Sequence, residues 1–137
     1  MYIFTPNTLI KSSEINANFA EFSSKGFVTP SSDWIAPTFQ NSWVNYGSWA
    51  TGAYRIDAMG YVHLKGLLKS GTLGANTPMF TLPIGFRPKA SEDLILTGLS
   101  NNAVARINIR GSTGFVCCEV GNNIWVSIDG LTFKAES

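Results

Sequence analysis

Charge is scarce in this sequence. Charged residues make up 14% of its 137 positions, against roughly 25% in an ordinary soluble domain. A monomer of this size would have to cover itself with Ser, Thr, Asn and bare apolar groups. The 12% aromatic content and four Trp favour burial against further copies, since such interfaces are depleted in charge and enriched in aromatics. An obligate oligomer is therefore expected. The ten Lys and Arg are scattered and the net charge is +1. Arg106 and Arg110, on one face of a predicted strand, read as a solvated face, so no nucleic-acid partner is expected.

Cysteine and histidine are scarcer still. The two cysteines are adjacent, Cys117 and Cys118, and neighbours in a strand point to opposite faces, which suits neither a bridge nor a shared metal. Two buried thiols are expected, and a structural zinc site is excluded. No metal or other cofactor is expected. The single histidine, His63, would have to carry any catalytic triad alone, because no GxSxG elbow is present. Carboxylates are few and dispersed; Asp57 and Glu119 are the pair that a fold could join for glycoside hydrolysis. Gly111-Ser112-Thr113-Gly114 lacks the Lys and helix of a phosphate loop and reads as a hairpin loop. The expected protein is not an enzyme. No apolar run approaches the roughly 18 residues needed to cross a bilayer, and no charged-then-apolar leader opens the chain. A cytoplasmic product, or one that leaves as part of a larger particle, is expected.

The length suits one domain, and the chain divides in character. Residues 1–27 read as an N-terminal segment with an extended start (Ile3, Phe4), the turn Thr5-Pro6-Asn7 and a short helix. Ser12-Ser13 stands at its N-cap, Glu14 lies in its first turn, and Ile15, Phe19 and Phe22 form one apolar stripe. So short a helix is unstable alone in water, so its stripe is expected to pack on sister helices or another protein, with the chain's own domain as the alternative. Residues 28–38 read as a linker containing Pro30 and Pro37, and residues 39–137 as a run of short strands punctuated by Gly, Asn and Pro.

The predicted strands are Phe39 to Tyr46, Ala53 to Met59, Tyr61 to Leu68, Met79 to Leu82, Leu94 to Leu99, Ala103 to Arg110, Phe115 to Val120 and Ile124 to Ile128, ending in Leu131-Thr132-Phe133. Val62, Leu64 and Leu68 are expected inside, with Tyr61, His63 and Lys65 opposite. Ala105, Ile107 and Ile109 alternate with polar neighbours as in a half-buried strand. Asp129-Gly130 is the strongest two-residue hairpin signal. The expected fold is mainly β, an antiparallel sandwich of jelly-roll type behind the short helix.

Aromatic side chains crowd the region between linker and second strand: Trp34, Trp43, Tyr46, Trp49 and Tyr54. Tyr and Trp serve cores, protein interfaces and saccharide stacking alike, so core or intersubunit packing and a glycan contact are both open here.

The stretch Phe4-Thr5-Pro6-Asn7-Thr8-Leu9-Ile10-Lys11-Ser12-Ser13-Glu14-Ile15-Asn16-Ala17-Asn18-Phe19 resembles the N-terminal segment of many phage tail-fibre and baseplate proteins. Gly60-Tyr61-Val62-His63-Leu64-Lys65-Gly66, followed by Phe80-Thr81-Leu82-Pro83-Ile84-Gly85-Phe86-Arg87-Pro88, resembles a motif pair of phage tail and receptor-binding β-domains. Trp125-Val126-Ser127-Ile128-Asp129-Gly130-Leu131-Thr132-Phe133 resembles their last hairpin. The resemblance implies a homotrimeric, or otherwise symmetric, β-domain in the virion tail. Its N-terminal segment (Ile3, Phe4, Leu9, Ile10, Ile15, Phe19, Phe22) would dock to neighbouring tail proteins. No shaft or repeat separates that segment from the domain, which favours a collar, baseplate or tail-tip component. A receptor-binding head recognising a host surface glycan or protein through Trp43 to Tyr54, and a capsid decoration protein, are the alternatives.

Overall fold

A computed structural model describes residues 33–136. The predicted helix and all the docking residues proposed for residues 1–27 lie outside the described part.

The described chain is β throughout. Its ten strands are β1 (Val44–Asn45), β2 (Ala53–Ile56), β3 (Tyr61–Lys65), β4 (Leu67–Lys69), β5 (Phe80–Thr81), β6 (Asp93–Ser100), β7 (Ala103–Arg110), β8 (Phe115–Val120), β9 (Val126–Ser127) and β10 (Thr132–Lys134). They form a seven-stranded sheet ordered β1-β4-β9-β6-β7-β8-β5 and a three-stranded sheet ordered β10-β3-β2. Every pairing is antiparallel.

Alternation decides which residues meet between the sheets. Val62 and Leu64 of β3 and Tyr54 of β2 face Ala105, Ile107 and Ile109 of β7 and Val116 and Cys118 of β8 in one apolar core. Phe80 lies at its centre, with the Tyr54 ring stacked at 6.3 Å and Phe39 edge-on at 6.4 Å. Burying an aliphatic or aromatic side chain of this size contributes about 1.5–3 kcal/mol, so the shared core is what holds the sheets together. Phe86 fills a partly buried place edge-on against Tyr54, 5.1 Å between centroids.

Three local departures from the sequence reading have physical causes. The strand expected from Phe39 to Tyr46 is reduced to Val44–Asn45, because Asn41 and Ser42 both adopt positive φ (55° and 68°). They make a turn closed by Trp43 N–H donating to Gln40 O at 3.1 Å.

The single strand expected from Tyr61 to Leu68 is two strands in different sheets, parted at Gly66. Gly66 has φ +136°, and a Cβ there would lie 2.5 Å from Gly52 Cα. Only glycine lets the two chain segments touch and the strand change sheets.

Asp129-Gly130 is likewise a crossing between sheets, not the turn of a hairpin. The last strand, β10, pairs with β3 and not with β9. The turn spends its hydrogen bonds on β3 and the residue after it: Gly130 N–H donates to Leu64 O (3.1 Å), Leu64 N–H to Leu131 O (2.8 Å), and Gly66 N–H to Asp129 Oδ1 (2.7 Å).

The remaining turns follow the sequence reading. Asn101 and Asn102 carry φ of 48° and 67°, the paired left-handed conformation that suits a tight hairpin's twist, and join β6 to β7. Residues 111–114 join β7 to β8. Ile35, in the stretch read as linker, makes an antiparallel bridge to Tyr54.

Candidate functional site

The aromatic groove has a floor and walls that follow from strand register. Leu67 pairs with Ser127, and Ser127 with Leu99, so these three form one row across β4, β9 and β6. Their neighbours Leu68 and Val126 are fully buried, which turns the row to the outer face of the larger sheet. The β1–β2 connection lies over one end of that row, held by Tyr46 N–H to Leu67 O (2.8 Å) and Leu67 N–H to Ala50 O (2.9 Å). Asn45 Oδ1 accepts from Gly52 N–H at 2.7 Å and fixes the loop's far end.

The resulting cleft encloses about 400 Å³ between Tyr46, Trp49, Leu67, Leu99, Trp125 and Asp129. Trp49 is 67% exposed, a large apolar face left in water. Lys69 Nζ stands 5.2 Å from the Tyr46 ring centre. Asp129 is fixed by Gly66 N–H, while its second oxygen is 3.4 Å from the Ser127 hydroxyl. Flat aromatic faces beside a few oriented polar groups can stack a sugar ring and accept hydrogen bonds from its hydroxyls.

The aromatic residues singled out from sequence are therefore dispersed. Tyr46 and Trp49 line the groove. Trp43 is in the core, its indole N–H donating to Thr72 O at 3.1 Å, and Tyr54 is in the core beside Phe80 and Phe86. Trp34 belongs to a second cleft, on the smaller sheet. Trp125, Leu67, Leu99 and Asp129 were not among the candidates. For Trp125 the signal was present, since alternation around a buried Val126 turns Trp125 and Ser127 outward together.

The groove floor continues into exposed apolar residues. Leu99 pairs with Val104, and Ile95, Leu99, Val104 and Val120 are all more than half exposed. Beyond them the outer face becomes polar. Arg110 binds Asp93 at 3.0 Å and Glu119 at 3.6 Å, and Arg106 approaches Glu119 at 3.8 Å. Glu119 is thus held by arginines of the larger sheet and Asp57 by His63 near the smaller one, so the two carboxylates do not share a site.

His63 has defined partners. Its Nε2 lies 2.7 Å from Asp57 Oδ2 and its Nδ1 3.3 Å from Thr132 Oγ1. The His63 hydrogen bond, more than the backbone N–H groups of Tyr61 and Met59, holds the Asp57 carboxyl below its ordinary pKa despite some desolvation. Thr132 Oγ1 also donates to Gly130 O at 3.3 Å, so its hydrogen is not committed to the imidazole.

The adjacent cysteines are buried on opposite sides of the larger sheet. Cys118 joins the core, whereas Cys117 Sγ donates to Ala75 O at 3.3 Å. Burial pushes both thiols up, Cys118 to about 11. Among the described residues no three His, Cys, Asp or Glu side chains gather to hold a metal, and no helix is long and apolar enough to cross a membrane.

No family model matches this sequence, and no curated protein matches it. Among solved structures, the fold is similar to that of the receptor binding protein (gp15) of Listeria phage PSA. The TM-score is 0.63 and the identity 19%, and the match covers 96% of this chain and 83% of that one.

Proposed function

We propose that this chain is a host-attachment protein of a bacteriophage tail, a non-enzymatic β-domain that offers the Tyr46–Trp49–Trp125 groove to a carbohydrate on the host surface. The observation that carries this reading is that groove, an open aromatic cleft on a β-domain similar over nearly its whole length to a phage receptor-binding protein. A saccharide laid on Trp49 would replace water on an indole that is two-thirds exposed, with Asp129 and Ser127 as hydrogen-bond partners beside it.

The test is adsorption of labelled full-length protein to susceptible cells, and its competition with infection. Trp49→Ala and Trp125→Ala are each expected to weaken cell binding about tenfold or more, equivalent to about 1.4 kcal/mol. Protein that neither binds susceptible cells nor blocks infection refutes the reading.

A structural role is the second reading, as a collar, baseplate or tail-tip adaptor. It is favoured by the exposed apolar residues Ile95, Val104 and Val120 on the larger sheet's outer face, where single copies of a symmetric, trimeric assembly would meet. In that case docking runs through residues 1–27, and virions lacking those residues lose the protein or the fibres it holds. Monomeric protein, together with intact assembly after that deletion, counts against it.

A further inference from the structure

The smaller sheet carries a second cleft that the host-attachment reading does not use. Because Ile35 bridges Tyr54 antiparallel, Trp34 falls opposite Arg55. Arg55 pairs with His63, His63 with Thr132, and Ala53 with Lys65. One outward row across four chain segments thus brings Trp34, Arg55 and His63 side by side, with Lys65 two residues along β3.

The two cations converge on one indole. Lys65 Nζ stands 4.8 Å and Arg55 Cζ 5.7 Å from the Trp34 ring centre. Among the described residues neither lies within ion-pair distance of a carboxylate. Asp57 is engaged by His63 and by the backbone N–H groups of Met59 and Tyr61. Arg55 Nε is buried and has no hydrogen-bond partner, while the Arg55 side chain lines the cleft. The cleft, about 500 Å³, is lined by Trp34, Arg55, Asp57, His63, Lys65 and Gly130.

We propose that Arg55 and Lys65, gathered against Trp34, form an oxyanion site that takes the phosphate or carboxylate group of an acidic saccharide. The anion accepts from the terminal N–H groups of the Arg55 guanidinium and from the Lys65 ammonium, and it offsets the repulsion between two like charges held against one ring. Trp34 is a positioning residue: it touches the cations and sets their separation. The oxyanion chemistry stands on this geometry alone, whereas the saccharide rests on the host-attachment reading.

The test is a titration of the full-length protein with inorganic phosphate, glucose 6-phosphate, glucuronate and glucose, followed by NMR at the Trp34 indole N–H. The two acidic sugars are expected to saturate in the millimolar range and weaken as salt is added, while glucose leaves this signal unmoved. Arg55→Gln should weaken glucose 6-phosphate binding about tenfold or more, and Arg55→Lys, which keeps charge but loses the planar fork of donors, should restore it only in part. Lys89→Gln, which removes an exposed cation outside both clefts, should leave it unchanged, with an unaltered melting temperature confirming that each variant is folded. Equal binding of glucose, no binding of any anion, or an Arg55→Gln variant that binds as well as the parent overturns the site. Inorganic phosphate binding as tightly as the sugar phosphate overturns the saccharide half. Loss of anion binding with intact cell adsorption sinks this inference alone; the converse sinks host attachment alone.

Discussion

Substituting Gly66 by Ala tests the central claim about the fold, that one strand becomes two only because a side chain is absent. The backbone at Gly66 has φ +136°, and holding an L-residue in such a left-handed conformation costs about 1–2 kcal/mol. The added Cβ would stand 2.5 Å from Gly52 Cα and 2.8 Å from Gly52 N. Both are backbone atoms that no rotamer change can move aside, and overpacking of this kind costs about 1–3 kcal/mol. The lower freedom of alanine in the unfolded chain offsets about 0.4–1 kcal/mol. The net loss expected is therefore about 2–4 kcal/mol, or a melting temperature lowered by about 10–20 °C for a domain of this length. Urea unfolding at constant m-value measures it. Gly85→Ala separates the two terms: Gly85 also has positive φ, +99°, but a Cβ added there would meet nothing within 4 Å. It should lose only the conformational part less the same unfolded-chain offset, a net of about 0.5–1.5 kcal/mol. A Gly66→Ala variant no less stable than Gly85→Ala would refute the contact argument, and one within about 0.5 kcal/mol of the parent would refute the strain argument too.

Three further outcomes follow from groups whose surroundings are defined. Both cysteines should resist thiol reagents at pH 8 in the folded protein and react on unfolding, since burial holds Cys117 and Cys118 protonated; rapid native labelling of both would contradict their placement. Asp57 is depressed chiefly by His63, so its contribution to stability is present above the ordinary Asp value of about 4 and is lost as pH falls through the lower folded value. His63→Ala should bring the Asp57 carboxyl resonance back towards the ordinary titration range, and an unmoved midpoint would show that the backbone N–H groups dominate. Arg110→Met removes the guanidinium contacts to Ala75 O (3.0 and 3.2 Å) and Asp93 (3.0 Å). It should cost about 1–3 kcal/mol and speed amide exchange at residues 71–78, with unchanged exchange there refuting the anchoring role.

Faces were more legible in the sequence than connections. Alternation in Tyr61 to Leu68 and in Ala103 to Arg110 correctly separated Val62, Leu64, Ala105, Ile107 and Ile109 from their outward neighbours, because side-chain direction in a strand is a local property. Asn108 shows where that rule stops. It is outward by period yet buried, in a strand whose flank is covered by the loop that Arg110 holds through Ala75. Pairing is non-local, and there the local signals misled: Asp129-Gly130 has the composition of a hairpin turn, but its acceptors and donors are claimed by β3, far away in the chain. The same limit governed the aromatic cluster. Trp43 and Trp49 are close in sequence, but the left-handed turn at Asn41-Ser42 sends the first ring inward, while the connection pinned on Leu67 keeps the second outside.

The two clefts are joined by the same pair of crossings. Lys65 lines the smaller-sheet cleft and Leu67 the aromatic groove, with Gly66 between them; Gly130 lines the first and Asp129 the second. The crossings are tied directly, through Gly66 N–H to Asp129 Oδ1 at 2.7 Å and Ile128 N–H to Gly66 O at 2.9 Å. A strand that changes sheets must show one residue on each side of the change, so a single glycine delivers a cation to one surface and an apolar floor to the other. Because these two short hydrogen bonds span that joint, the spacing between Lys65 on one surface and Leu67 on the other is set by the fold. A polymer that reached both proposed sites would gain through effective concentration, since two weak points held at fixed separation reinforce each other, and only one whose acidic and neutral units match the spacing would gain from both.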